Sequence, residues 1–192
     1  MTAARIKEVA LKYFANHGYE GASLADIAEE VGIKKQSIYT HFKGKDELFL
    51  ALLYDALAKE LSFVTSYLDR NKARSVEALL YGFLNEYQIC YETNDNTKFY
   101  LRTAFFPPAH LYEEIVKEGY RYLDTVEALL VTVFDQAKAS ASIHAGVGSE
   151  AAAAAFLSVL DGIFVELLFG GSERATKRLE ASWLVYWRGI RQ

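Results

Sequence analysis

Three residues constrain this chain more than any others: Ala28, Gly32 four positions later, and Ile38 six after that. A small residue, a glycine and a β-branched apolar residue at those intervals let two short helices cross closely around a tight bend. That order is the sequence mark of a helix-turn-helix. Ile27 and Val31 complete the inward face of the first helix, over 24–31, and the second is expected over 35–41. Two helices this short cannot bury their faces alone. A third wall is available from 3–17, where Ile6, Val9, Ala10, Tyr13 and Phe14 recur at helical spacing. Gly18 is expected to stop that helix. Ser23, three residues before Asp26, is expected to cap the next. Phe42 is expected in the core.

The remainder reads as helix as well. Only two prolines occur, adjacent at Pro107 and Pro108, and turn clusters at strand spacing are absent. A long helix starting at Lys45 carries the stripe Leu48, Leu52, Leu57, Leu61, Val64 and Leu68. At about 1.5 Å per residue it would run roughly 35 Å. Ser75 can cap a following helix with the stripe Val76, Leu79, Leu80, Phe83, Leu84 and Tyr87. Further helices are expected over 95–105, 109–138, 150–169 with Ser149 as cap, and 173–190. The expected architecture is all-α, about nine helices, with a helix-turn-helix head over 1–46 and a larger helical body over 47–192. With 52% hydrophobic residues the chain can bury a sizeable core.

Charge distribution adds a functional hint. The formal charge is −4, yet from Val31 to Lys45 there are four lysines and no acid, with Tyr39, His41 and Phe42 among them. Lysines near phosphates release condensed counterions, and a helix N-terminus attracts phosphate through its free N–H groups. Lys45 stands where both effects add.

Residues 4–53 resemble the DNA-binding head of the TetR family of bacterial transcriptional regulators. The resemblance rests on "ALKYFANHGYEGASLADIAEEVG" and then "IYTHFKGKDEL", in order and without gaps. It implies that the second short helix enters the major groove with Lys35, Gln36, Ser37 and Thr40 on base edges, Gln suiting adenine and Lys guanine. It implies phosphate contacts at Tyr39, His41 and Lys45. Lys34 stands where many relatives carry a capping serine, Gln36 where many carry a small residue, and Thr40 where a second tyrosine is frequent. The base preference of a relative therefore does not transfer.

The same resemblance implies a homodimer joined by the last two long helices. Ala151, Ala155, Ser158 and Gly162 give 150–169 a small-residue stripe, and Trp183 and Trp187 give the last helix an aromatic edge. From composition alone this stripe packs equally well inside one subunit. The resemblance also implies a cavity for a small-molecule inducer. Candidates are Phe83, Tyr87, Tyr91, Tyr100, Phe105, Tyr112, Tyr122 and Glu166, because 13 tyrosines are many for a plain core and each hydroxyl needs a partner. Glu86, Asp161 and Glu166 on apolar stretches would suit a lipophilic cation, with Arg102 as an internal neutraliser. A neutral hydrophobic ligand fits as well. The Pro107–Pro108 break is a candidate hinge.

No cofactor, metal site or catalytic residue is expected. The four histidines are scattered, the single Cys90 rules out an intrachain disulfide, and no glycine-rich phosphate loop occurs. The start of the chain lacks an apolar signal core. The most hydrophobic run, 156–170, is short for a bilayer and holds Asp161 and Glu166. A soluble cytoplasmic regulator of double-stranded DNA, released from a palindromic operator by ligand, is the expectation. The alternative is a helical small-molecule-binding or protein-interaction module without operator binding.

Overall fold

The computed structural model describes residues 3–192 as nine α-helices with one short 3₁₀ turn and, among the described residues, no strand beyond a single bridge between Ile143 and Arg191. The helices are α1 (Ala3–Gly21), α2 (Leu24–Val31), α3 (Lys35–Ile38), α4 (Lys45–Asn71), α5 (Val76–Thr93), α6 (Asp95–Phe105), α7 (Tyr112–Ala139), α8 (Ser149–Phe169) and α9 (Ser172–Ile190), with the 3₁₀ turn at Ala109–Leu111 before α7. The chain forms two compact units. One holds the chain through Glu60 together with Thr93–Tyr120, and the other holds Leu61–Glu92 and Arg121–Gln192.

In the first unit, α1 packs on α6 and α2, and α2 packs on α3. Gly18 breaks the helical path of α1, with φ 70° and ψ −177°, as the sequence suggests. Ile6, Val9, Ala10, Phe14, Ile27, Ala28, Val31, Ile38 and Phe42 are buried together with Leu48, Phe49, Leu52 and Leu53 of α4. Phe14, Phe49 and Phe99 meet edge-on or tilted, with centroids 5.0–6.3 Å apart, a favoured arrangement for aromatic rings. A buried polar group sits within this unit. Glu60 of α4 accepts hydrogen bonds from Asn96 Nδ2 (3.0 Å) and Thr97 Oγ1 (2.9 Å), which explains why the first turn of α6 is polar and yet buried.

In the second unit, α8 packs along α9. Phe83, Leu84 and Tyr87 of α5, Val126, Leu130 and Phe134 of α7, and Phe156, Leu160 and Ile163 of α8 supply its core. Ser75 caps α5 as expected, its hydroxyl accepting from Ala78 N–H at 3.2 Å. Ser149 does not cap α8. The cap position is Gly148, and the Ser149 hydroxyl instead donates to Asp135 at 2.5 Å. Among the described residues, α8 alone is long and apolar enough to cross a bilayer, since the apolar run lies inside a 21-residue helix; nine of its residues are nevertheless buried within the fold.

Candidate nucleic-acid interface

The bend between α2 and α3 is built by local chemistry. Ser23 Oγ accepts from Asp26 N–H at 3.1 Å and starts α2. Gly32 ends it in the left-handed region (φ 78°, ψ 35°), its N–H bonding back to Ala28 and Glu29 while Ile33 N–H reaches Ala28 O at 2.9 Å. This is a glycine-stopped helix end. Any other residue at Gly32 would be strained there.

The α3 helix is shorter than the sequence suggests. It ends at Ile38, and the chain continues to Phe42 through turns, with Tyr39 N–H bonding Gln36 O and His41 and Phe42 N–H bonding Ile38 O. Lys34 occupies its cap position and supplies no side-chain bond, so the helix lacks the N-terminal support that a serine gives. Ile38, fully buried, anchors it. Burying such a side chain contributes about 1.5–3 kcal/mol.

What remains outside is polar. Lys34, Lys35, Gln36, Thr40, His41 and Lys43 are exposed and Ser37 half-buried. Tyr39 is 50% exposed, unlike its neighbour Phe42 in the core. The Thr40 hydroxyl donates to Ser37 O at 2.7 Å, which leaves its lone pairs as acceptors. Gln36 offers a free carboxamide, which can pair bidentately with adenine N6 and N7.

The start of α4 adds the second element. Glu47 accepts from Lys43 N–H at 2.6 Å and fixes the approach to the helix. Lys45 Nζ lies 4.2 Å above the Tyr19 ring, a cation–π contact that holds the ammonium in place without neutralising it. The Tyr19 hydroxyl donates to Asp46, and His110 Nε2 lies 3.2 Å from the same carboxylate. These two partners, Tyr19 first, hold the Asp46 carboxyl below its ordinary range, while burial and then the Asp46 bond push the Tyr19 hydroxyl up. Lys34, Lys35, Lys43 and Lys45 take part in no ion pair among the described residues. The corner thus presents four ammonium groups outside any ion pair, an exposed carboxamide and a tyrosine ring beside the N-terminus of a 27-residue helix. Sequence reasoning missed Tyr19 as the platform under Lys45 and His110 as a partner of Asp46. No local pattern marks a contact 64 residues distant.

The sequence pattern described as "Bacterial regulatory proteins, tetR family" matches residues 6–52, the stretch from α1 into α4. Over this stretch the chain is similar to the TetR family of transcriptional regulators. Among its relatives, the HTH-type transcriptional repressor AcnR of Corynebacterium diphtheriae is 42% identical over 59 residues, which span 31% of each protein. The HTH-type transcriptional regulator YvkB of Bacillus subtilis is 25% identical over 194 residues, covering 98% of this chain and 97% of YvkB. A TetR-family transcriptional regulator from Agrobacterium tumefaciens superposes with a TM-score of 0.75 over 99% of this chain and 97% of its own; at 19% identity that likeness shows the fold.

The helical body distributes the remaining candidates unevenly. Phe83, Tyr87 and Tyr122 are buried in the second unit, where the Tyr87 and Tyr122 hydroxyls lie 3.0 Å apart. Tyr91 is half-buried in the same unit. Tyr100 is buried in the first unit, where Phe105 and Tyr112 are exposed. Glu166 is not free to meet a cationic ligand. Its carboxylate is clamped by Arg174 Nε at 2.9 Å and Arg178 Nη2 at 2.5 Å across the Gly170–Gly171 turn. Glu86 is likewise paired, with Arg70 at 3.1 Å. The carboxylates that suggested a lipophilic cation are therefore engaged, Asp161 excepted, and Arg102 lies beside Gly18 rather than beside any of them.

On the α8–α9 pair, Ala151, Ala155 and Ser158 face outward and Gly162 is half-buried. Trp183 and Trp187 are buried, stacked with centroids 5.5 Å apart and planes 9° from parallel, so these rings serve the subunit's own core. The outward residues of α9 are Leu184 and Val185, which the sequence reading passed over. Their period relative to the tryptophans was the available signal.

Proposed function

We propose that this TetR-family regulator is a cytoplasmic homodimeric repressor that holds a palindromic operator with two α2–α3 heads and releases it when a small hydrophobic or aromatic ligand occupies the helical body. The observation that carries the reading is the unneutralised lysine corner. In a chain of net charge −4, Lys34, Lys35, Lys43 and Lys45 stand together without acidic partners around the exposed Gln36. Gln36 and Lys35 read base edges, helped by Ser37 and Thr40. Tyr39, His41, Lys34 and Lys45 hold the phosphates, with Lys45 at the positive end of α4.

An outward apolar stripe supports the dimer. Val165, Phe169, Leu184 and Val185 are all exposed beside the small residues of α8, with Phe169 at 71% and Val185 at 73%. Exposed large apolar residues of this kind suit a partner surface. The repressor sign is supported by AcnR, a repressor by name. The ligand is supported by the buried tyrosine pair in the second unit, which offers hydroxyls in apolar surroundings.

The test is selection of duplexes from a randomised DNA pool by the purified protein. An inverted repeat with half-sites one helical turn apart, or a multiple, is the expected product. Recovery of no enriched sequence at low salt would defeat the reading.

A further inference from the structure

A cavity lies in the second unit, and none of the aromatic residues discussed above lines it. It has a volume of about 500 Å³ and is formed by the end of α4, the α4–α5 turn and the last turns of α7. That size is ordinary for a small-molecule pocket. Its floor is apolar, supplied by Leu68, Leu79, Leu129 and Val133. Its polar lining contains hydroxyls, an amide and two cations, Lys72 and Arg74, and no acid at all.

The two cations differ. Lys72 is paired with Asp69 at 2.8 Å. Arg74 has no acidic partner among the described residues. Its guanidinium hydrogen-bonds the Tyr67 hydroxyl and lies beside Gly82 of α5. A methyl group at Gly82 would lie 3.4 Å from Arg74 Nη1 and 2.5 Å from the Tyr67 hydroxyl. That hydroxyl is itself fixed on Leu79 O at 2.9 Å. A fork-shaped cation held in place beside an apolar floor is the group that recognises a carboxylate.

The opposite lip is also fixed. Ser140 and Ser142 line the cavity with their hydroxyls 3.0 Å apart. Between them Ala141 has φ 53°, the one left-handed residue other than glycine among those described. Such a conformation persists only where its surroundings enforce it. Here Ser142 N–H bonds Ala137 O at 2.8 Å, and the following residues are clipped to the end of α9 through His144 N–H and Ile190 O at 2.7 Å. The pocket therefore has a fixed lip, with the exposed Arg74 guanidinium hydrogen-bonded to the Tyr67 hydroxyl at its edge.

We propose that this cavity is a small-molecule site of the regulator, built for an organic monoanion with an apolar body, such as a medium-chain or arylalkyl carboxylate. Arg74 takes the carboxylate, the serine and threonine hydroxyls complete its hydrogen bonds, and the leucine and valine floor takes the apolar body. This goes beyond the DNA reading and does not depend on it.

The experiment titrates the full-length protein, labelled at leucine and valine methyl groups, with octanoate and with its neutral counterpart octanamide. Saturable octanoate binding at least tenfold tighter than octanamide is expected, with shifts centred on Leu79, Leu129 and Val133. Arg74→Gln should remove the preference for the acid. Thr132→Leu, which fills the cavity without touching Arg74, should weaken both ligands and serves if Arg74→Gln does not fold. Equal affinity for acid and amide, shifts centred elsewhere, no saturation in the millimolar range, or unchanged binding in Thr132→Leu would each overturn the proposal. DNA binding is followed separately, so a protein that selects an operator and ignores octanoate loses only this inference, and the converse result loses only the other.

Discussion

The α2–α3 bend and the α8–α9 pair are both two-helix packings, and they finish their burial differently. In the first, the inward apolar residues Ile27, Ala28, Val31 and Ile38 are buried, and the uncovered remainder is polar, acidic on α2 at Asp26, Glu29 and Glu30 and cationic from Lys34 onward. In the second, the covered side holds Phe156, Ile163, Trp183 and Trp187, while the uncovered side still displays Val165, Phe169, Leu184 and Val185. A surface that is complete in apolar terms and rich in unpaired charge suits a polyanion. One that leaves large apolar residues in water suits another apolar surface. On the function proposed above, the first surface is the one for DNA and the second the one for another copy of the chain.

The largest expected effect comes from breaking the apolar side. Val185→Glu would place a carboxylate in the proposed seam, where an unpaired charge is costly. Light scattering should report a monomer, and operator affinity should fall by about 10²–10⁴, the gain that a linked second module supplies. A dimer of unchanged operator affinity would place the seam elsewhere. Next in size is Ile38→Ala, which empties the anchor of α3. Urea unfolding should show a loss of about 2–5 kcal/mol, whereas the same change at an exposed α3 residue should be near neutral. Gln36→Ala should leave stability alone and flatten base preference at one position of each half-site, by about 1–3 kcal/mol in a specificity profile.

The smallest effect concerns acid stability. Arg174 and then Arg178 hold the Glu166 carboxyl down to about 2, from an ordinary value of 4.5. A carboxyl depressed by folding contributes stability that is complete above its unfolded value and fades as the pH falls through the folded one. The α8–α9 turn should therefore lose this contribution between about pH 4.5 and 2. Glu166→Gln should remove that acid limb from a plot of melting temperature against pH. An identical acid limb in the variant would contradict the clamp.

The head was more legible in sequence than the body because its determinants are local. Ser23 with Asp26, Gly18 and Gly32 act within three or four residues, so spacing alone predicts them. The length of α3 was misjudged because periodicity does not register the turns that replace helix from Tyr39 to Phe42. Ser149 has the residue type of a cap, yet its hydroxyl is spent on Asp135 fourteen positions back. Glu166 looked like a ligand group because its partners stand across the next turn, and Trp183 and Trp187 looked like an outer edge because burial depends on which side of α9 meets α8. The Lys45–Tyr19 and Asp46–His110 contacts join residues far apart in sequence. Each of these outcomes follows from tertiary pairing, which the patterns of single helices do not encode.

The central claim is that the corner of Lys34, Lys35, Lys43 and Lys45 meets the phosphates of a DNA duplex. Fluorescence anisotropy of the selected duplex across a salt series, for the natural chain and for Lys45→Ala, tests it most directly. The account predicts that log K falls linearly with log salt, that Lys45→Ala weakens binding to all sequences alike, and that it reduces the slope by about 1 per head. A slope unchanged by Lys45→Ala, or binding insensitive to salt, would contradict it.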